Sequence, residues 1–434
     1  MDGMLTRGQA PAVAAVRSMI VGGAPHAVLF TGPGSVGKTT LALDLAAGLL
    51  CDAPIAIDRP CRACRACRRV ASGNHPDLHR LAPGGSGNQI KLKATQVDPR
   101  PGVLELIDDL SLMAHEGGAR VAVVEGAHRM NEDAQNALLK TLEEAPAGVH
   151  IVLCADDEDR LLPTIRSRCQ RIRLGTLTGR EIETWLTDRG VADAPTAARA
   201  ARLADGRPGL ALAYVQAPEA LAARAELDRT LLDLLGARPS ARLAAMAGLL
   251  GRARDLGTAL AAAGRPVEET AVVGPGRLPG GARGRRAAAQ AALRPAAVNV
   301  PGLGEPPAGS ATGQGGDGEG GDGNEAAPDP APDPAPDGSG RQPRVAATER
   351  RRGALTLIEV WRRLALDLAR SGGGDSSRLH DPALLEELSA AAARLPAGAT
   401  AAFLIRLDQV GQAIESNASP ELAMDVLALA WPAA

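Results

Sequence analysis

The stretch GPGSVGKT, residues 32–39, constrains the fold of this 434-residue chain more than any other feature. It matches the phosphate-loop pattern G-x-x-x-x-G-K-[ST], in which glycines let backbone N–H groups close around phosphate oxygens. The apolar run HAVLF (26–30) precedes it, and the helical run TLALDLAAGLL follows it. This strand–loop–helix order is the context that such a loop needs, so the stretch predicts a nucleotide site.

Each position of this loop has an expected role. The ammonium of Lys38 reaches the outer phosphates and the hydroxyl of Thr39 can bind Mg²⁺. Lysine occurs at four positions only, against many arginines, so a retained lysine indicates a need for a compact ammonium. The alternative, a glycine-rich turn that binds nothing, is the less favoured. The predicted nucleotide-binding residues of the loop are Gly32, Gly34, Gly37, Lys38, Thr39 and Thr40.

A second apolar run, VAVVEGAHRM (121–130), delivers one carboxylate, Glu125, to the same edge of a sheet. Glu125 is predicted to hold Mg²⁺ beside the nucleotide, and the alternative is an acid that merely ends a strand. A hydrolysing site also needs a group that orients water, and here the next residue is Gly126. The pattern therefore predicts a nucleotide site without a catalytic acid.

Strand and helix signals alternate over residues 1–175, which predicts an α/β domain with a parallel sheet. The strand signals are HAVLF, RVAVVE (120–125) and HIVLC (150–154). Beyond TGREIETWL the periodicity is helical. The chain is long enough for two or three domains.

Residues from about 268 to 350 lose all apolar periodicity. They are rich in Gly, Pro and acidic residues, as in EAAPDPAPDPAPDGSG, and are expected to be disordered. Arginine-rich pieces flank them, RGRR (283–286) and RRR (350–352). A tolerated loop expansion is favoured over a tethered segment that touches DNA or a partner.

Four cysteines at Cys51, Cys61, Cys64 and Cys67 have the spacing C-x₉-C-x₂-C-x₂-C. Four thiolates at such gaps suit tetrahedral Zn²⁺, and with all four positions filled the site is predicted to be structural. An iron–sulfur cluster is the chemical alternative, but Ala71 stands where the ferredoxin run has its next cysteine.

Composition and termini predict a soluble, cytoplasmic protein. The formal net charge is −2, so nothing global indicates a nucleic-acid surface. No apolar run reaches transmembrane length, and the start, MDGMLTRGQA, lacks a signal peptide's basic and apolar regions. No membrane partner is expected.

Several motifs together resemble the bacterial clamp-loader ATPase family, of the AAA+ class. They are HAVLFTGPGSVGKTT, the Cys₄ insert after the first helix, HPD (75–77), NEDAQNALLKTLEEAP (131–146) and LLPTIRSRC (161–169). The resemblance implies an α/β AAA+ domain with a RecA-like parallel sheet and a Cys₄ zinc insert, then a small helical lid and an all-α collar. The implied boundaries are 1–175 (zinc module about 51–75), 176–235 and 236–434.

Three departures separate this chain from the family's motor subunits of gamma/tau type. Gly126 replaces the second acid of the strand. The sensor-1 position, usually Thr or Asn, aligns with Ala155 or Asp156. The sensor-2 arginine position falls on Gly209, with Arg207 two residues away. The chain is therefore more similar to the non-hydrolysing delta-prime branch.

The resemblance implies a stator that helps to load the sliding clamp onto primed DNA within DNA polymerase III. It implies gamma/tau and delta subunits as partners, with clamp and primer–template DNA reached through the complex, and bound ATP that is not hydrolysed. Arg168 resembles an arginine finger directed at a neighbour's ATP, the alternative being a surface arginine. Two other functions remain open: an active gamma/tau-type ATPase and a zinc-bearing, non-enzymatic adaptor.

Overall fold

The computed structural model describes residues 3–84, 88–96, 98–116, 118–263, 347–375, 379–416 and 418–433. Within these ranges five strands form one parallel sheet, in the order β2-β3-β4-β1-β5. Buried and mostly apolar side chains make up the central strands, as a sheet covered by helices on both faces requires. The strands are β1 (Ala27–Thr31), β2 (Leu78–Leu81), β3 (Arg120–Val124), β4 (Val149–Ala155) and β5 (Gln170–Arg173).

The three strands predicted from apolar runs are β1, β3 and β4, and all three are confirmed. The two edge strands, β2 and β5, were not predicted. Their sequences, LHRL and QRIR, contain arginine and few apolar residues, because side chains on an edge strand meet solvent. Such short strands carry too little apolar periodicity to be detected in a sequence.

Six helices accompany the sheet and nine more follow it, and no strand occurs after Arg173 in the ranges that the structure covers. The predicted helical character of the C-terminal part is therefore confirmed. The first six are α1 (Ala10–Gly22), α2 (Lys38–Leu49), α3 (Arg65–Ala71), α4 (Val103–Ser111), α5 (Glu132–Glu143) and α6 (Pro163–Arg168). The next five are α7 (Gly179–Asp188), α8 (Ala194–Ala204), α9 (Pro208–Gln216), α10 (Pro218–Asp233) and α11 (Pro239–Ala263). The last four are α12 (Ala347–Gly372), α13 (Leu385–Ala392), α14 (Ala399–Glu415) and α15 (Pro420–Ala430).

The apolar core divides at the end of the sheet domain. Two clusters cover the two faces of the sheet, and a third contains buried residues of the helical part from Ile182 to Trp431. Trp361, Phe403 and Trp431 form its aromatic centre, with ring centroids 4.6 to 5.5 Å apart. The first predicted boundary, at 175/176, lies between these cores, whereas the lid–collar boundary at 235/236 crosses one continuous core. Both boundaries stay predictions.

The segment predicted to be disordered lies outside the described residues, except at its end. Helix α12 begins at Ala347, a few residues before the predicted end of that segment near 350. No helix in the described ranges is long and apolar enough to cross a membrane.

Candidate functional site

The phosphate loop connects β1 to α2 and has a backbone that only glycine can adopt at two positions. Gly32 has φ +137°, and a Cβ there would lie 2.1 Å from the carbonyl oxygen of Leu174. Gly37 has φ +104° and immediately precedes the first residue of α2, Lys38. Gly32 and Gly37 therefore turn the chain so that the amino end of α2 faces the loop, as the sequence predicts.

The side chain of Lys38 is bound by protein oxygens. Its Nζ donates to the carbonyl oxygens of Gly32 (2.7 Å) and Pro33 (2.5 Å) and lies 2.8 Å from Asp156 Oδ1. Lys38 is 6% exposed, so these three contacts satisfy all the donors of a buried ammonium. A phosphate that binds Lys38 must replace some of them.

Asp156 is the residue at the sensor-1 position that faces the loop. Ala155, the other candidate, is the buried last residue of β4. The backbone N–H of Asp156 donates to His128 Nδ1 (3.1 Å), and burial lowers the pKa of His128 to about 4. The imidazole is therefore neutral near pH 7, which leaves the Asp156 carboxylate as a net negative charge against Lys38.

Glu125 follows β3, at the sheet edge where the loop also lies. Its Oε1 accepts from Arg80 Nη2 (2.7 Å) and Nε (3.1 Å). The buried thiol of Cys154 lies among the same groups: burial raises its pKa to about 12, and the charges of Glu125, Lys38 and Asp156 also act on it. Glu125 is thus near the loop, but its carboxylate is bound by an arginine.

Gly126 has a backbone conformation and a close neighbour that favour glycine. Its φ is +60°, in the left-handed region, and a Cβ would lie 2.9 Å from Pro83 Cγ. A side chain here would be strained and would collide with a rigid ring. The missing second acid is therefore a property of the local backbone as well as of the sequence.

Gly209, at the sensor-2 position, and Arg207, just before α9, have different contacts. Gly209 contacts the phosphate loop: its N–H donates to the Ser35 carbonyl oxygen (2.9 Å). Arg207 precedes α9, and its Nη2 donates to Glu359 Oε1 on α12 (2.7 Å). The guanidinium nearest the sensor-2 position in sequence is thus bound to α12.

Arg168 is the last residue of α6 and is about one-third exposed. Its guanidinium donates to the Thr164 carbonyl oxygen (2.9 Å) and forms an ion pair with Glu143 at the end of α5. Arg166, in the same helix, pairs instead with Asp159 (2.7 Å). The two arginines therefore have different partners on the surface of one short helix.

The four predicted metal-binding cysteines converge. Their Sγ atoms all lie within 4.8 Å of one another, and those of Cys51 and Cys64 are 3.9 Å apart. Two ligands of a tetrahedral zinc ion are separated by about 3.8 Å, because Zn–S bonds are about 2.3 Å long. The thiols therefore fit a closed four-ligand site.

Backbone N–H groups point at these sulfurs and favour thiolates. Cys61 Sγ and Cys64 Sγ accept from the backbone nitrogens of Cys64 (3.4 Å) and Cys67 (3.3 Å). Burial acts to raise the pKa of Cys61, but hydrogen bonds from backbone N–H groups and neighbouring thiols lower it to about 6. Burial raises the pKa values of Cys51 and Cys67, so these two need a cation to become thiolates.

One anchoring residue was not predicted. Asp44, the single acid of α2, is fully buried and accepts from the backbone N–H groups of Leu5 and Thr6 (2.9 to 3.1 Å). It also forms an ion pair with Arg62 in the cysteine-bearing segment. Asp44 thereby joins the N-terminal segment and the cysteine module to the helix that follows the phosphate loop. The sequence signal that could have identified Asp44 is a single acid within the apolar stretch TLALDLAAGLL.

Comparison with known proteins identifies the sheet domain. The family model described as "DNA polymerase III, delta subunit" matches residues 9–178. The delta-prime subunit of DNA polymerase III from Escherichia coli is 35% identical over 201 residues, which are 46% of this chain and 58% of that protein. Residues 9–178 are similar to the delta-prime subunits of DNA polymerase III. The resemblance inferred from the motifs is confirmed.

Other relatives of the clamp-loader family are also similar. The tau subunit of DNA polymerase III from Salmonella typhimurium is 33% identical over 186 residues, 42% of this chain and 27% of that protein. A solved gamma subunit-related protein from Thermotoga maritima overlaps 60% of this chain and 89% of its own, at 17% identity and a TM-score of 0.31. The chain spans little more than half the length of the curated delta-prime relative.

The predicted fold class is confirmed: a five-stranded parallel sheet of AAA+ type precedes a helical part. The structure brings the loop, Glu125 and the sensor-1 position to one edge of the sheet, and it brings the four cysteines together. Arg168, about one-third exposed at the end of α6, contacts Thr164 and Glu143. The roles of the individual residues stay predictions.

Proposed function

We propose that this chain is the stator subunit of a DNA polymerase III clamp loader and does not turn over ATP itself. Gly126 is the observation that carries the proposal, because it has no side chain to orient water and a residue with a side chain would be strained there. The ion pair between Lys38 and Asp156 supports weak nucleotide binding, since a triphosphate would have to displace a carboxylate. The predicted cytoplasmic location stays a prediction.

Bound ATP with Mg²⁺ would be held by the loop from Gly32 to Thr39, the residues that fit phosphates. The left-handed glycines and the amino end of α2 supply N–H donors for them. Glu125 fits a metal less well while Arg80 occupies its carboxylate. We therefore expect this chain to bind ATP without hydrolysing it.

Steady-state ATPase of the isolated chain tests this proposal against the alternative of an active motor. We expect no turnover above that of the Lys38→Ala variant. The variant Gly126→Glu adds the missing acid at a position where a side chain is strained. We expect this variant to remain inactive and to lose about 1–2 kcal/mol of stability. Turnover on the order of 1 s⁻¹ that disappears in Lys38→Ala would overturn the proposal.

We further propose that Arg168 acts on ATP bound to an adjacent motor subunit. Its position at the exposed end of α6 supports this role, because exchanging Glu143 for a phosphate requires only a surface side-chain movement. An arginine finger contributes about 10³–10⁵-fold at its own site. In the complete clamp loader, Arg168→Ala should reduce DNA-stimulated ATPase by at least the share of one site.

Arg166→Ala is the matched control, because Arg166 lies on the same helix but pairs with Asp159. Both variants should assemble normally with gamma/tau and delta subunits. Equal ATPase and clamp-loading rates for the two variants would refute the finger role. Failure of the wild-type chain to co-purify with those subunits would favour the alternative of a zinc-bearing adaptor.

The proposed complex defines the partners and the metal. Gamma/tau and delta subunits would contact this chain directly, and the sliding clamp and primer–template DNA would be reached through the complex. The cysteine cluster would hold one structural Zn²⁺, as the sulfur separations support. With four protein ligands no open position remains for catalysis.

A further inference from the structure

The cysteine module and the phosphate loop lie at opposite ends of one helix. Helix α2 begins at Lys38, directly after the loop, and Cys51 follows its last residue, Leu49, by two positions. Twelve residues of α-helix span about 18 Å, so the two sites are too far apart for direct contact. Any influence of one site on the other must therefore be carried by other residues of the chain.

Arg62 is the residue of the cysteine module that reaches out of it. It lies between Cys61 and Cys64, and its backbone N–H hydrogen-bonds the sulfur of Cys67. Its φ of +57° is in the left-handed region, a conformation that is costly for a residue with a side chain and persists only where the surroundings fix it. The sulfurs of the two flanking cysteines belong to the cluster, so a bound metal would hold the backbone of Arg62 in this conformation.

The guanidinium of Arg62 holds the N-terminal segment, residues 3–9. Its Nε donates to the carbonyl oxygen of Gly3 (2.6 Å), and its Nη2 forms the ion pair with Asp44. Asp44 also accepts from Thr6 Oγ1 (2.7 Å), in addition to its two backbone donors. One guanidinium and one completely buried carboxylate thus fix this segment between the cysteine module and α2.

The same segment reaches the phosphate loop. Thr6 is 5% exposed, and its methyl carbon Cγ2 lies 3.9 Å from the point that a Cβ on Gly37 would occupy. Gly37 is the left-handed glycine directly before α2, so the loop backbone at this point lies beside Thr6. A chain of contacts therefore runs from the sulfur cluster through Arg62, Asp44 and Thr6 to the loop.

We propose that the metal state of the cysteine module controls the order of the phosphate loop through Arg62 and Asp44. With zinc bound, the left-handed Arg62 holds residues 3–9 against α2 and the loop. Without zinc, the strained turn between Cys61 and Cys64 is no longer held, so Arg62 relaxes and the N-terminal segment loosens. Occupancy of one site then raises the affinity of the other, and such coupling is reciprocal. The part that concerns ATP rests on the proposed nucleotide binding at the loop.

Amide hydrogen exchange of the full-length chain, with zinc and after chelation under reducing conditions, tests the coupling. Zinc removal should speed exchange at Leu5, Thr6 and the loop by about fivefold or more. In Arg62→Gln, which keeps all four cysteines, the zinc-bound chain should already exchange faster there, and chelation should add little. Arg68→Gln is the matched control, because Arg68 lies in the same module but donates to the carbonyl oxygen of Ala63 within it. This control should respond to chelation as the wild type does.

A fluorescent ATP analogue tests the consequence for the nucleotide. Zinc removal should weaken its binding to the wild type and to Arg68→Gln by a similar factor, but not to Arg62→Gln, and saturating ATP should slow zinc release from the wild type. Unchanged exchange at Leu5, Thr6 and the loop after chelation, or an equal response of Arg62→Gln and the wild type, would overturn the coupling. A wild type that holds zinc but binds no analogue at about 1 mM would instead count against the proposed nucleotide site, and the exchange measurements would still decide the coupling.

Discussion

The phosphate loop and the cysteine cluster differ in what the protein places against their binding atoms. In the loop, three protein oxygens surround Lys38 Nζ, one of them a carboxylate oxygen of Asp156. In the cluster, backbone N–H groups point at sulfurs that lie within 4.8 Å of one another. The loop thus has an internal counter-ion for its charge, whereas in the cluster burial raises the pKa values of Cys51 and Cys67, so these two thiols need a cation to become thiolates. A motif match therefore does not measure how readily a site binds its ligand.

The largest expected effect is loss of the metal from the cysteine cluster. Cys64→Ser should abolish zinc at one ion per chain and make the segment from Cys51 to Ala71 sensitive to protease, while the sheet stays folded. Zinc binding at a four-cysteine site contributes on the order of 10 kcal/mol locally. Elemental analysis and limited proteolysis under reducing conditions measure both outcomes.

Cys169→Ser is the control for this variant, because Cys169 is buried outside the cluster. It should keep one zinc per chain. Iron in the wild-type protein, or an unchanged zinc content in Cys64→Ser, would contradict the comparison between the two sites.

Lowering the pH should reduce the stability of the folded protein, because buried His128 must then accept a proton. Burial lowers the pKa of His128 to about 4 in the folded state, against about 6.5 when unfolded. The unfolded chain therefore binds more protons between these values, and stability is full above pH 6.5 and falls as the pH drops toward 4. The loss attributable to His128 is about 3 kcal/mol.

Urea unfolding at pH 7 and at pH 4 measures this difference, since His128→Gln should show a smaller loss than the wild type. His150→Gln, at a half-buried histidine whose Nδ1 contacts the Pro25 carbonyl oxygen, should behave as the wild type does. An identical loss of unfolding free energy in all three proteins would show that His128 does not cause the acid sensitivity.

Removing the internal counter-ion should open the loop to nucleotide. Asp156→Asn leaves Lys38 without its carboxylate and should raise ATP affinity about tenfold, equivalent to about 1.4 kcal/mol. Equilibrium titration with a fluorescent ATP analogue measures the change. Asp157→Asn removes the same charge one residue away and should change affinity much less; equal effects would show that net charge, not the ion pair, limits binding.

The smallest effect is expected from deleting residues 300–340. This stretch has no apolar periodicity and so has little to contribute to a core. Thermal stability, zinc content and assembly with motor subunits should all stay nearly unchanged. Loss of assembly would identify the acidic segment as a docking element.

The sequence by itself determined the parallel sheet, the phosphate loop and the four cysteines. These features depend on local patterns: apolar runs, glycines at fixed spacing, and thiols close together along the chain. It also showed that the residue after Glu125 is a glycine and not a second acid. The sequence did not predict the edge strands β2 and β5, because half-exposed strands need no apolar run.

Only the tertiary structure decided which charges neutralise one another. Lys38 at the start of α2 meets Asp156 just after β4, Glu125 meets Arg80, and Arg207 meets Glu359 more than 150 residues later. It also decided that Gly126 lies against Pro83 in a left-handed backbone where a side chain would be strained. Ion pairs and steric limits of this kind depend on distances between segments far apart in the chain, which a local pattern does not contain.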